Sequence, residues 1–146
     1  MNWKEYYLNI CEQVKLKSKD NNTKIGAVIV GSGNEIVSTG YNSFPRGIDD
    51  NKPERQERPE KYFWFEHAER NAIYNAARIG VSTSGCTMYV SCDLPCSGCA
   101  RAIINSGIKK IVVGGGDSAK GEQYREEFIR SQQMLKEAGV EIEYNV

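Results

Sequence analysis

The sequence has a single histidine, His67, so any metal site that uses it must take its other ligands from other residue types. No stretch approaches the length of a membrane-spanning helix, and no membrane role is expected. Trp3, Lys4, Glu5 and Tyr6 stand where a secretion signal would need an apolar run. The basic excess of a nucleic-acid binder is missing too. Lys and Arg number 19 against 19 Asp and Glu, a formal net charge of zero. That balance argues against a nucleic-acid partner but not against a small anionic ligand, which needs only a few local cations. There is no internal repeat and no low-complexity linker. With 146 residues, 40% hydrophobic and 26% charged, one domain over 1–146 with a sizeable core is expected.

Five cysteines are present, an odd number. Cys96 and Cys99 follow Pro95 at a spacing of three, so on a helix both sulfurs face one way. A helix start lowers a thiol pKa, and the thiolate is the form that binds metal. With His67 they supply three ligands and leave a tetrahedral zinc one vacancy for water. Glu69 lies two residues past the histidine, within reach of that water but free to move protons. A Cys-x-x-Cys alone could be a redox pair or half of a structural zinc site, and a His-x-Glu alone is weaker still. It is their combination, in this order and using the only histidine, that points to a catalytic metal. Cys11, Cys86 and Cys92 read as free buried thiols, which suits a reducing, cytoplasmic location.

Along the chain, residues 2–18 carry an amphipathic helix ended by Ser18-Lys19-Asp20-Asn21-Asn22. Lys24–Val30 and Glu35–Tyr41 form an antiparallel hairpin. The mixed-charge segment 46–61 reads as a solvated loop, long enough to serve as a lid or flap. Tyr62-Phe63-Trp64-Phe65 reads as core or subunit contact, with stacking of one ring on a base as the sharper alternative. A helix over 66–78 presents the small-residue face Ala72, Ile73, Ala76 and Ala77. Strand Thr87–Cys92, helix Cys96–Asn105 and strand Ile111–Val113 follow. Gly114-Gly115-Gly116 reads as a flexible loop rather than a phosphate cradle. A helix over 123–137 and a strand over 141–144 finish the chain. This alternation gives an α/β fold, a three-layer αβα sandwich with a mixed five-stranded sheet in which strands 4 and 5 are parallel. Ligands of such sheets bind near one sheet end, where both metal-bearing helix starts can converge.

These motifs resemble the zinc-dependent cytidine and deoxycytidylate (dCMP) deaminases, whose signature and chemistry are general knowledge of base-modifying enzymes. Thr23–Val30 (TKIGAVIV), Thr39–Gly47 (TGYNSFPRG), Glu66–Ile73 (EHAERNAI), Met88–Val90 (MYV) and Leu94–Ile111 carry the resemblance, in order, over residues 18–113. The Gly-Tyr-Asn-x-x-Pro-x-Gly segment and the aromatic lead-in favour the dCMP type over tRNA adenosine deaminases. The resemblance implies zinc held by His67, Cys96 and Cys99, with Glu69 as proton shuttle. Asn42 would bind sugar or base, and the Ala68 backbone would bind the pyrimidine carbonyl. Zinc-activated water would add at C4 of dCMP, giving dUMP for thymidylate synthesis and ammonia. Arg46, in the family-like loop, is the expected phosphate contact. Many family members carry further cysteines and histidines before the histidine motif and bind a second zinc. This chain has none there, so one zinc per subunit is expected. The resemblance also implies a homo-oligomer, a hexamer, with dCTP and dTTP as effectors and Mg2+ accompanying a nucleotide effector. Deaminases of dCTP, a modified dCMP, guanine or tRNA adenosine share the metal signature and stay open. So does a non-catalytic zinc-stabilised module, whose fourth ligand would be Cys92, a carboxylate or Glu69 itself.

Overall fold

Every residue of the strand Gly26–Val30 (β1) is buried, because it runs mid-sheet with helices on both faces. The structure, a computed structural model, describes residues 1–115 and 122–145. The other strands are Ile36–Tyr41 (β2), Thr87–Val90 (β3), Lys110–Val113 (β4) and Glu141–Tyr144 (β5). Their order is β2-β1-β3-β4-β5. β1 is antiparallel to β2 and β3, while β3, β4 and β5 run parallel. The mixed sheet with parallel strands 4 and 5 is therefore as expected.

Side-chain alternation along β1 divides the core in two. Val28 and Val30 face the helix Trp3–Val14 (α1) through Tyr7 and Cys11. Ala27 and Ile29 face the other layer, with Met88, Val90, Ile111 and Val113. That layer consists of the helices Ala68–Ile79 (α3), Ser97–Asn105 (α4) and Glu122–Glu137 (α5), which contribute Ala72, Ile103 and Leu135. A single-turn helix, Lys61–Trp64 (α2), precedes α3. No helix among the described residues is long and apolar enough to cross a membrane. Cys11, Cys86 and Cys92 are free and buried. Of the glycine run 114–116, Gly116 lies outside the described residues.

Helix α3 carries the histidine motif and sits unusually close to β2. Its buried row is Ala68, Ala72 and Ala76, all fully inside, while Ala77 of the expected face is exposed. Opposite lies Gly40, where a Cβ would collide with the Ala72 amide nitrogen and the Ala68 carbonyl. The Ser38 hydroxyl donates to Ala72 O (2.8 Å), and Asn75 Nδ2 donates to Thr39 O (2.7 Å). Asn71 Nδ2 donates to Tyr41 O (2.8 Å). Small residues thus let the helix approach, and polar side chains fix its register.

Candidate metal centre and active site

His67 and Cys96 are the N-cap residues of α3 and α4, both with extended backbone and neither forming a side-chain cap. Two positions that usually hold Ser, Thr, Asp or Asn are given to metal-type ligands instead. The first-turn N–H groups and the positive end of each helix dipole are left facing the site. His67 is held from behind. Ser43 and Glu66 exchange backbone hydrogen bonds of 3.1 and 2.8 Å, extending the line of β2 to the residue before the histidine. The Glu66 carboxylate accepts from His67 N (2.9 Å) and from Arg70 Nε (2.7 Å). α4 is tied to α5 by the Ser97 hydroxyl, which donates to Glu127 (2.6 Å).

The three predicted ligands converge. His67 Nδ1 lies 3.4 Å from Cys96 Sγ and 3.3 Å from Cys99 Sγ. Zinc with Zn–N of ~2.05 Å and Zn–S of ~2.3 Å in tetrahedral geometry sets an N···S separation of about 3.6 Å. Both N···S separations are therefore within a few tenths of an ångström of those around a bound zinc. Its electrostatics agree. The Cys96 thiol is pulled down to about 3, first by the hydrogen bond from Cys99 and then, against the cost of burial, by His67. Cys99 moves well above the usual thiol range because it gives that hydrogen bond and is buried. A dication would displace the shared proton. Among the described residues no other His, Cys, Asp or Glu joins the cluster. The Cys92 thiol is turned to the Asp93 carbonyl (3.3 Å), so the closed site of a non-catalytic module lacks that ligand.

Beside the cluster opens a cavity of about 320 Å³. Glu69 lines it and is only 4% exposed. Burial holds its carboxyl above the usual carboxylate range, and the charge of His67 opposes that rise. Asn42 also lines the cavity, but its amide is largely committed. Nδ2 donates to Thr23 O (2.8 Å) and Asp20 Oδ2 (3.2 Å), and Oδ1 accepts from Ile25 N (2.8 Å). One lone pair of Oδ1 remains for a donor on a ligand. Ala68 is fully buried in the first turn of α3, where its backbone N–H needs no helical acceptor.

Arg46 does not join this group. It is exposed, donates to Asn75 Oδ1 (2.8 Å) and lines a separate cavity of about 490 Å³ with Lys17, Lys19 and Arg78. After Asn42 the chain turns at 45–48, where Ile48 N donates to Pro45 O (3.2 Å), and that turn leaves Arg46 at a different cavity from the one beside the metal cluster. The aromatic quartet divides among its alternatives, and for Tyr62 and Phe63 core packing is the one ruled out. Phe63 is 81% and Tyr62 59% exposed, and neither is core. Phe65 lines the cavity, packed on Phe44 with ring centroids 4.2 Å apart.

The solvated reading of segment 46–61 fails at its last residue. Lys61 is buried, and its Nζ lies 2.8 Å from Asp20 Oδ1, on the side of the cavity that also holds Asn42. Asp20 further accepts from Asn22 N (2.8 Å) and Thr23 N (3.2 Å). The sequence offers no local signal for a pair separated by 41 positions. Tyr124 and Phe128 of α5, which line the cavity too, were equally hidden in an amphipathic helix pattern.

Residues 1–115 match the family model described as the cytidine and deoxycytidylate deaminase zinc-binding region. This chain belongs to that family. The human protein described as deoxycytidylate deaminase is 38% identical over 117 residues, 77% of this chain and 64% of that protein. The match thus spans less than two thirds of the length of that relative. An Aliivibrio fischeri protein described as an uncharacterized deaminase in the luxG 3′ region is 37% identical over 140 residues, 96% of this chain and 91% of the relative. The crystal structure of the cyanophage S-TIM5 dCMP deaminase, in complex with dCMP and dUMP, superposes with a TM-score of 0.77 at 25% identity. It covers 97% of this chain and 96% of that one. The family's zinc-binding description and the geometry of His67, Cys96 and Cys99 agree on Zn2+ as the ion this site fits.

Proposed function

We propose that this protein is a zinc-dependent hydrolase that converts dCMP to dUMP and ammonia. The observation that carries the reading is a buried carboxylate, Glu69, beside a three-ligand His/Cys/Cys cluster at the wall of one cavity. The deoxycytidylate deaminases among the relatives support the choice of base and sugar. When bound, zinc supplies a water acidic enough to be a nucleophile near neutral pH. The chain's own residues do the rest. The buried Glu69 is a stronger base than a solvated carboxylate, so it takes the proton of the attacking water. It delivers that proton to N3 and passes the next one to the exocyclic amine, which leaves as ammonia while the oxygen stays on C4. The Ala68 N–H, at the positive end of α3, receives the pyrimidine carbonyl. The remaining lone pair of Asn42 accepts from a sugar hydroxyl.

The finer expectations stand as part of the same reading. One zinc binds per chain. The protein assembles as a homo-oligomer, a hexamer by family resemblance, and works in the cytoplasm. dCTP and dTTP, with Mg2+ as counter-ion, act at the cavity of Lys17, Arg46 and Arg78. Its cations and its shared wall with the metal cavity support that placement. The test is a panel of cytosine nucleosides, mono- and triphosphates, guanine and tRNA, read by ammonia release, with zinc counted per chain. dCMP is expected to have the highest kcat/KM. Turnover of guanine or tRNA adenosine in preference to every cytosine compound would overturn it.

A further inference from the structure

Three cations line the metal cavity: Arg58, Lys61 and Arg70. Two of them are already answered. Lys61 Nζ sits 2.8 Å from Asp20, and Arg70 Nε sits 2.7 Å from Glu66. An ion pair of that kind has little attraction left for a further anion. Arg58 differs. It is exposed and, among the described residues, makes no ion pair. Its guanidinium carbon lies 5.9 Å from the Tyr62 ring centroid, and the Tyr62 and Tyr124 side chains line the same cavity.

Arg58 is nonetheless well placed. Three residues on, Lys61 is pinned to Asp20, and Lys61 N donates to Glu57 O (2.8 Å). The backbone around Arg58 is therefore anchored while its head group stays free. The cavity has a buried end, where Glu69 and Cys92 line it, and an exposed end, at Arg58 and Tyr62. A nucleotide with its base at the buried end directs its 5′ substituent toward the exposed end.

We propose that Arg58, with the hydroxyls of Tyr62 and Tyr124 beside it, receives the 5′-phosphate of the nucleotide and sets the preference for nucleotide over nucleoside. This rests on the site being that of a cytosine-nucleotide deaminase. A guanidinium offers forked N–H donors that match phosphate oxygens, and the phenols add neutral donors. The role that sequence position suggested for Arg46 passes to a residue twelve positions later, on the wall that the substrate can reach.

The test compares the zinc-loaded full chain with Arg58→Gln and Arg58→Lys, measuring kcat and KM for dCMP and for deoxycytidine. Arg58→Gln is expected to raise KM for dCMP by about 10- to 100-fold, the loss of a charge-assisted contact. Its kcat should stay within a few-fold, and kcat/KM for deoxycytidine should not change. Arg58→Lys should recover part of the loss. The KM of the wild-type chain for dCMP should climb with ionic strength more steeply than that of Arg58→Gln. Inhibition by dUMP, set against deoxyuridine, gives the same comparison without turnover. If Arg58→Gln keeps the wild-type ratio of dCMP to deoxycytidine, or weakens both equally, the assignment of Arg58 is overturned. A wild-type chain that deaminates neither compound, yet acts on another base, would instead overturn the reading of the site.

Discussion

Two cavities share one wall and treat charge in opposite ways. The chain alternates at the end of β2, with Asn42 turned to the metal cavity and Tyr41 and Ser43 to the cavity of Arg46. On the metal side, Lys61 and Arg70 are each paired with a carboxylate and Lys61 is buried, and only Arg58, at the exposed edge, has no ion pair among the described residues. On the other side Lys17, Arg46 and Arg78 make no ion pair among the described residues; only Lys19 is answered, by Asp50 at 2.9 Å. Paired buried charge holds a shape, because each partner left alone would be expensive. Unpaired exposed charge does little for the fold and remains available to an anionic ligand. The contrast separates the charges that build the site from those that wait for something to bind. It can be broken residue by residue.

The largest effect is expected at the buried end. Glu69→Gln keeps the shape of the side chain but removes the base. Turnover should drop by ~10²–10⁴-fold, the usual contribution of a positioned proton carrier, while zinc content stays at the wild-type level. Metal analysis beside steady-state kinetics checks both halves. Loss of zinc in this variant would mean that Glu69 is a ligand, and the metal end would be a closed structural site.

Next comes the pair that supports the cavity. Lys61→Met leaves Asp20 charged and buried without its partner, a change that costs ~3–5 kcal/mol in comparable sites. Adding Asp20→Asn should restore most of that, since Asn keeps an acceptor for Asn22 N and Thr23 N. Denaturant unfolding of the single and double variants measures it. A Lys61→Met protein as stable as wild type would show that charge on this side of the wall is as dispensable as on the other.

A smaller loss is expected at Gly40, the residue that lets α3 lie against β2. An added Cβ meets backbone atoms of Ala68 and Ala72, so the helix itself has to shift. Overpacking of this kind costs ~1–3 kcal/mol. Because His67 and Glu69 ride on the first turn of α3, Gly40→Ala should lower kcat as well as the unfolding midpoint. A drop in stability with unchanged kcat would mean that the metal end tolerates a displaced helix.

The sequence revealed the metal end far better than the rest, and the reason is physical. A metal needs particular atoms at helical spacing, so His67, Glu69, Cys96 and Cys99 stand in short motifs with a fixed order. The hairpin and the parallel βαβ tail were legible for the same reason, since alternation and crossover length are local properties. Lys61 was not legible. It lies in a run of mixed charge, and only the fold brings it to Asp20. The side Arg46 faces was not legible, because the chain turns at 45–48 between it and Asn42, and a turn breaks the alternation that would otherwise relate positions four apart. Arg58 was invisible among the nine other charged residues of segment 46–61 for want of any pattern at all.

The smallest stability change is expected on the far side of the wall, and it is the sharpest test of the contrast. Arg46 is exposed, has no ion pair among the described residues, and makes one hydrogen bond, to the Asn75 side chain. Asn75 is held independently by its own bond to Thr39 O (2.7 Å), so its anchor does not depend on Arg46. Arg46→Ala should therefore shift unfolding free energy by no more than ~0.5 kcal/mol, as for most surface substitutions. Its binding effect should be much larger. If the unpaired cations serve a polyanion, the variant should weaken the response of dCMP turnover to dCTP and dTTP, and that response should fade with salt in the wild-type chain. A destabilisation matching that of Lys61→Met, with the nucleotide response intact, would make Arg46 a structural residue. The two cavities would then differ in exposure alone, and the division between charges that build and charges that bind would not hold.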